Sequence, residues 1–235
     1  MKYLTLPDQQ MRRLSFYLAM EEYVARMLPA DDYLFLWQVK PTVIFGRNQQ
    51  MESEVNESYC RAHDIQMFRR KSGGGCVYAD EQNLMVSYVT ADDQVGVVFN
   101  RFLQMLLLVL RKLGIQATST SRNDVLIDGR KVSGTAFYHL PGRSIVHSTL
   151  LFDTNMEHML NAITPSAEKL RQKGIQSVRQ RITLLKDYVS LTLPQLKEHI
   201  RLTLCDSQVL LQPAQVLAIG QLEKQYLRDD FIHLL

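Results

Sequence analysis

Two short stretches of this chain combine residue types that could handle a negatively charged ligand. The first is Arg69-Arg70-Lys71-Ser72-Gly73-Gly74-Gly75. Three consecutive glycines are costly in conformational entropy, and such a run is kept where side chains would collide or φ must be positive. One use is to bring backbone N–H groups close to a phosphate or carboxylate, and the three preceding cations would strengthen that field. The competing reading is a flexible hairpin tip with solvated charges. The run is not a Walker A loop, because Gly-x-x-x-x-Gly-Lys-Ser/Thr is absent. It is not a dinucleotide fingerprint either, because no Gly-x-Gly-x-x-Gly opens a helix.

The second stretch is Asn123-Asp124, followed by Asp128-Gly129-Arg130-Lys131-Val132-Ser133-Gly134. Asp-Gly between apolar residues is a strong hairpin-turn signal. Lys131 is a compact cation that can meet a developing negative charge. Asp124 is a carboxylate that can hold a Mg²⁺ bridging phosphate oxygens. The plain alternative is a surface hairpin with an exposed lysine. His147, in an apolar run, reads first as a satisfied core histidine, and Asn83 as a turn residue.

These groups need a scaffold, and the hydrophobic pattern supplies one. Residues 14–28 have helical periodicity; Arg12-Arg13 before them faintly resembles an export signal, but Glu21-Glu22 interrupt the apolar run, so the stretch reads as a first helix. Residues 33–37 and 42–46 read as buried strands joined by a short connection. Residues 52–63 read as a helix and 66–69 as a strand. Residues 76–78 and 85–89 look like a strand pair, with turn residues 80–83 between them. Residues 95–113 form a long helix stopped by Gly114. Residues 115–153 are β-rich, with strands at 125–127, from 132, and at 145–152. Helices are expected at 157–162, 193–204 and 213–227. Strands and helices do not alternate one for one, so an α+β sheet fits better than a Rossmann fold.

The chain has 235 residues, 46% apolar and 22% charged, a globular composition that excludes disorder. Net charge is +3, too weak a bias to argue for nucleic acid. Its three cysteines, Cys60, Cys76 and Cys205, fit neither a disulfide framework nor a zinc site, which points to a reducing, cytoplasmic setting. No apolar run has the length of a membrane span.

Taken in order, five segments resemble the lipoate–protein ligase A family. Residues 69–80 with Asn83 resemble its signature of two arginines, Ser-Gly-Gly-Gly-Ala-Val, an aromatic, His-Asp and a later Gly-Asn. Residues 16–22 look like its early helix, and Phe45-Gly46-Arg47-Asn48-Gln49 like its Ile-Gly-Arg-x-Gln. Asn123-Asp124 with Arg130-Lys131-Val132-Ser133-Gly134-Thr135-Ala136 resembles Asn-Asp…Arg-Lys-Val-Ser-Gly-Ser-Ala. Lys173-Gly174-Ile175 with Ser177-Val178-Arg179-Gln180-Arg181-Ile182-Thr183 resembles Lys-Gly-Ile-x-Ser-Val-Arg-Ser-Arg-Val-Thr.

The resemblance implies a fold: a mixed, mainly antiparallel sheet flanked by helices, like biotin protein ligase and class II aminoacyl-tRNA synthetases. It also implies a chemistry, in which lipoate and ATP, with Mg²⁺, give lipoyl-AMP. The lipoyl group then passes to a lysine of a lipoyl domain, in 2-oxo-acid dehydrogenase E2 subunits or the glycine-cleavage H protein. On that resemblance Lys131 is the catalytic cation. Arg70, Gly75, Cys76, Val77, Tyr78, Asn83, Asp124, Lys131 and Thr149 match nucleotide positions, with Asp124 beside the Mg²⁺. Arg70, Ser72, Gly73, Gly74, Ala136 and His147 match positions lining the lipoyl tunnel.

Some positions depart from the family. Cys76 stands where alanine is usual and reads as a small buried hydrophobe, not a thioester nucleophile. Ala79 stands where histidine is common, and Ser148 replaces a glycine. Tyr138 occupies a place where an arginine often helps hold lipoate. An octanoyltransferase of the same superfamily is the alternative enzyme, but its cysteine after a proline is missing at Ile163-Thr164-Pro165-Ser166. The usual entry to the family's small C-terminal domain is not recognisable in residues 226–235. The expectation is one catalytic domain over residues 1–235, with activation calling on a separate accessory chain. Neither nucleic acid nor membrane is an expected partner.

Overall fold

The computed structural model describes residues 1–8, 10–120, 123–164 and 181–234. In chain order the strands are β1 (Lys2–Thr5), β2 (Tyr33–Trp37), β3 (Thr42–Phe45), β4 (Gln66–Arg69), β5 (Val77–Ala79) and β6 (Leu84–Thr90). They continue with β7 (Ala117–Ser119), β8 (Asp124–Ile127), β9 (Arg130–Leu140), β10 (Arg143–Leu150) and β11 (Ser207–Leu210). The α-helices are α1 (Leu14–Met27), α2 (Met51–Glu54), α3 (Glu57–Ala62), α4 (Val95–Lys112), α5 (Met156–Ala162), α6 (Leu193–Leu204), α7 (Pro213–Glu223) and α8 (Asp229–His233).

Eight strands form one sheet in the order β11-β1-β2-β6-β10-β9-β8-β7, and a small sheet runs β4-β3-β5. In the large sheet β1 is parallel to β11 and β2, and every other pairing is antiparallel. This is the expected mixed, mainly antiparallel α+β architecture.

The pleat sends alternate residues to opposite faces, and the core divides accordingly. Phe35, Met85, Val89 and Ile145 pack under α1 and α7. Their neighbours Leu34, Val86, Tyr88 and Val146 pack under α4 and α6. A third cluster joins Val43, Phe45 and Tyr78 of the small sheet to Cys60 and Met159 on α3 and α5.

Residues 33–37 and 42–45 are strands as read, in different sheets; strands apolar on both faces carry no sign of which sheet they enter. Two local expectations are corrected. Residues 76–78 and 85–89 are not a pair: β5 bonds β3, while β6 lies between β2 and β10. The helix expected over 52–63 is two. Val55 leaves the helix to bridge Ile163, and Asn56 caps α3 by accepting the N–H of Tyr59. Strands β1 and β11 went unseen in the sequence, since each is short and they pair with each other across some 200 residues, β1 joining the sheet through β2.

Other readings hold. α4 ends where Gly114 adopts φ +79°, and Asp128 and Gly129, at φ +50° and +75°, make a two-residue turn between Ile127 and Arg130. Those are the positive angles a type I′ hairpin turn requires. No described helix is long and apolar enough to cross a membrane.

Candidate functional site

A cavity of about 810 Å³ opens between the glycine loop, the β8–β9 hairpin, β10 and α1. Arg70, Gly74, Gly75, Cys76, Val77, Asp124, Lys131, Ala136, His147 and Thr149 line it. Of the other expected site residues, Ser72 sits behind its wall against His147, and Gly73 is exposed on the loop. Tyr78 packs into the third core cluster, and Asn83 is buried beneath β5, where its amide donates to Tyr78 O and Thr154 Oγ1. The structure thus brings together the two stretches that could hold an anion, which lie almost 50 residues apart in sequence.

Lys131 reaches the cavity through an irregularity. Asp124 faces Gly134 and Leu126 faces Lys131, so the register slips at Val125/Leu126 and β9 carries an extra residue, Val132. A bulge of this kind re-aims side chains. Without it Lys131 and Gly134, three residues apart, would point to opposite faces. With it, Lys131, Gly134 and Ala136 line the same cavity as the cross-strand partners Thr149 and His147.

Gly134 makes room for the lysine. A Cβ there would lie 2.5 Å from Lys131 Nζ and 2.7 Å from its Cε. The ammonium lies over that backbone, 2.7 Å from Asp124 Oδ1. The other oxygen, Oδ2, is 2.7 Å from Arg181 Nη2. Asn123, the residue before, holds φ +92°. Its amide donates to Thr135 O at 2.6 Å and its carbonyl accepts from Thr135 N at 3.1 Å, which fixes the backbone that presents Asp124.

Burial lowers the Lys131 pKa, the Asp124 carboxylate opposes that shift, and the nearby guanidiniums of Arg181 and Arg70 add to it. The expected Mg²⁺ ligand therefore serves as a counter-ion to two cations. Among the described residues no group of three or more His, Cys, Asp or Glu stands ready to hold a metal; Asp124 is a single carboxylate whose two oxygens both meet side-chain cations.

The glycine loop is shaped by Arg70. Its guanidinium donates to Ile44 O, Gly73 O and Gly75 O at 3.1, 2.7 and 2.8 Å. Burial lowers its pKa to about 10. With those carbonyls turned onto Arg70, the N–H groups of Gly73, Gly74 and Gly75 meet no acceptor among the described residues. That is the pattern of an anion cradle. Two glycines are needed for it: Gly74 holds φ +93°, and a Cβ on Gly46 would lie 2.3 Å from Gly74 O. The loop is not a hairpin tip, because β4 and β5 flank β3 on opposite sides. Arg69 anchors the neighbouring turn, donating to Gly46 O, Arg47 O, Gln49 O and Ile232 O.

The other end of the cavity is apolar, walled by Leu14, Leu18, Trp37, Ile44 and Met85. Behind it runs a buried hydrogen-bond chain. Trp37 Nε1 donates to Ser87 Oγ at 2.8 Å, and Ser87 donates to Glu21 Oε1 at 2.5 Å. His147 Nδ1 lies 3.0 Å from both Glu21 oxygens, and its Nε2 is 2.9 Å from Ser72 Oγ. A carboxylate only accepts, so Nδ1 carries a proton. His147 is therefore both a satisfied core histidine and a wall residue.

Sequence reasoning passed over Glu21, Trp37 and Arg181. Glu21 had a signal, a carboxylate inside an otherwise apolar helix, and Trp37 is the lone tryptophan. Arg181 stood within the fifth matching segment without being singled out; it reaches the cavity because Thr183 N donates to Lys131 O. Most of the segment resembling Lys-Gly-Ile-x-Ser-Val-Arg, including Lys173-Gly174-Ile175 and Ser177-Val178-Arg179-Gln180, lies outside the described residues.

Residues 14–204 match the family described as the lipoyl protein ligase A/B catalytic domain. Lipoate–protein ligase 1 of Staphylococcus aureus is 38% identical over 175 residues, which are 74% of this chain and 53% of that protein. The chain thus spans about half the length of this curated relative. Among solved structures, it is similar to a bi-partite lipoate protein ligase from Thermoplasma acidophilum, described with its E2 lipoyl domain. The TM-score is 0.85 at 24% identity, covering 99% of this chain and 95% of that one. A lipoate–protein ligase A bound with ATP gives 0.83 at 20% identity, covering 100% and 99%. At such identities these likenesses show the fold.

Proposed function

This chain belongs to the lipoyl protein ligase A/B catalytic-domain family, and from that premise we propose that it is an ATP-dependent lipoate–protein ligase. It joins lipoate to AMP and passes the lipoyl group to a lysine of a lipoyl domain. The observation that carries this reading is one cavity with two unlike ends. An apolar end suits an aliphatic acyl chain, and a cationic end, with loop N–H groups that meet no acceptor among the described residues, suits phosphate.

Lys131 lies on the cationic side and is the group assigned to the acyl carbonyl and α-phosphate. Both steps develop negative charge on oxygen, and a preorganised cation stabilises it by about 3–4 kcal/mol. Backbone groups of Gly75, Cys76, Val77 and Tyr78, with Asn83 bracing the strand and Thr149 opposite, are assigned to the nucleotide. Arg70, Ser72, Gly73, Gly74, Ala136 and His147 are assigned to the acyl arm. Mg²⁺ would come with the nucleotide's phosphates and supply charge shielding there, with Asp124 the carboxylate assigned beside it. No covalent enzyme intermediate is needed, because the mixed anhydride is already activated. Burial holds the Cys76 thiol at about 12, which disfavours a thiolate nucleophile.

The E2 lipoyl domain is the first acceptor to try and the glycine-cleavage H protein the second. Activation is the step proposed to draw on a separate accessory chain. The test follows the acceptor's mass in two reactions, one with ATP, Mg²⁺ and lipoate, one with preformed lipoyl-AMP. Modification in both supports a complete ligase; modification only with lipoyl-AMP supports a transferase that needs a partner for activation. No modification in either, or transfer only of octanoyl groups, overturns the reading.

A further inference from the structure

The large sheet forks. β1 pairs with β2 only at Lys2↔Tyr33 and Tyr3↔Leu34. Beyond that point β1 stays with β11 as far as Thr5↔Leu210, and β2 stays with β6 as far as Trp37↔Met85. The strands part, and the edge of residues 35–37 turned away from β6 has no strand beside it. A cavity of about 570 Å³ fills the fork, with Leu4 and Thr5 on one side and Phe35, Leu36 and Trp37 on the other. That volume falls in the range of small-molecule sites, about 300–1,000 Å³.

We propose that this fork is a second ligand site, which takes a monocarboxylate with an aliphatic tail. The site is independent of the function proposed above, and Trp37 is the one lining residue the two cavities share. The tail end is apolar. Leu4, Met20, Phe35 and Trp37 are buried and yet line the cavity, while Met11 and Leu210 line it and remain exposed. Exposed apolar side chains gathered at a cleft mark an interaction site, whereas scattered ones do not.

The head end is Lys197, reaching in from α6. Its ammonium donates to Gln38 Oε1, and the Gln38 amide donates in turn to Glu81 O. Lys2, Lys71, Lys131 and Lys186 each meet a carboxylate, and Lys40, Lys112 and Lys224 are exposed. Among the described residues, Lys197 is thus the one lysine that is sheltered from solvent and pairs with no carboxylate. The acid on the same lining, Asp8, has both oxygens bonded to Arg12, at 2.9 and 2.7 Å. Tyr3 and Tyr17, also on the lining, are kept neutral by burial. Burial lowers the Lys197 pKa with no described group opposing it; an anionic head would oppose it. A single ammonium, with no second cation on the lining, matches a single negative charge, so a carboxylate fits better than a phosphate.

The test photolyses the folded chain with decanoate carrying a terminal diazirine and maps the label to residues by peptide mass spectrometry. Labels are expected on Met11, Met20, Phe35 or Leu210, and half-saturation of that labelling gives the affinity of this site alone. Lys197→Gln should weaken it about tenfold, and Lys197→Arg should restore most of the loss. The matching decanol probe, which has the tail without the charge, should bind wild type about tenfold more weakly than decanoate does and should not distinguish wild type from Lys197→Gln. No label in the fork, labels confined to the first cavity, an affinity indifferent to Lys197→Gln, or decanol binding as well as decanoate each overturns the site. Should Lys197→Gln lose its fold, the label map and the decanoate–decanol difference, both measured on the wild-type chain, decide. Transfer from lipoyl-AMP to an apo lipoyl domain is run alongside and should be unchanged in Lys197→Gln. Its failure in wild type would strike the functional reading and leave this site standing.

Discussion

The two ends of the cavity solve opposite problems with similar side chains. At one end Lys131, Asp124 and Arg181 are partly open to solvent, with side-chain exposures of 24%, 12% and 30%. Both cations keep an edge open to solvent from which a phosphate can reach them beside the Asp124 carboxylate they share. At the other end Glu21 and His147 are 3% and 7% exposed, and each of their polar atoms is already matched. Exchanging those bonds for a ligand's would strand a buried group, which is expensive. The comparison separates charges kept available for a ligand from polar groups that hold a wall in shape.

Substitutions can break that comparison. Lys131→Ala should lower transfer by about 10²–10³-fold with an unchanged melting temperature, measured by acceptor mass and calorimetry. A large loss of stability would place Lys131 with the wall. Glu21→Leu should do the reverse in kind. It strands His147 Nδ1 and the Ser87 hydroxyl, at a cost of about 2–4 kcal/mol in unfolding free energy. Denaturant titration reads this directly, and about 2–4 °C of melting temperature accompanies each kcal/mol in a chain of this size.

Smaller changes sharpen the contrast. Gly134→Ala should leave stability close to wild type, because the clash is with the flexible tip of Lys131. It should still reduce the transfer rate by about 10–100-fold by moving the ammonium. Saturating kinetics would show the loss mainly in kcat. Cys76→Ala should change transfer by less than about twofold. The wild-type thiol should also resist alkylation at pH 8, since burial keeps its pKa at about 12. Rapid loss of activity on alkylation of Cys76 would reinstate a thiol in the mechanism.

What could be read in the sequence follows the same division. The glycine run and the Asp-Gly hairpin are local signals, because the backbone conformations they permit are set by the residues themselves. They announced the cationic end and its lysine. The wall end left only a faint trace, a carboxylate in the apolar run of α1. Glu21 is buried only because α1 is covered on one side by the sheet and on the other by α7 and Tyr226, and nothing within α1 states that. The aim of Lys131 was half legible: its residue type suggested a role, but strict alternation would turn it away from Gly134. The assignment of β2 and β3 to different sheets depended on long-range pairing that an all-apolar strand does not encode. Arg181, one residue of the fifth matching segment, gains its place through the backbone bond between Thr183 and Lys131.

The extra residue in β9 makes the length of the hairpin matter more than its composition. Val132 contributes an apolar side chain to the core, fully buried, and another β-branched residue could replace it with little effect. Deleting it would be different. The strand would return to even alternation, and every side chain from Lys131 back to the turn would change faces together. Evolution along this segment can therefore vary its letters more freely than its count, and a one-residue insertion or deletion here is the small genetic change that would silence the site while leaving its lysine in the gene.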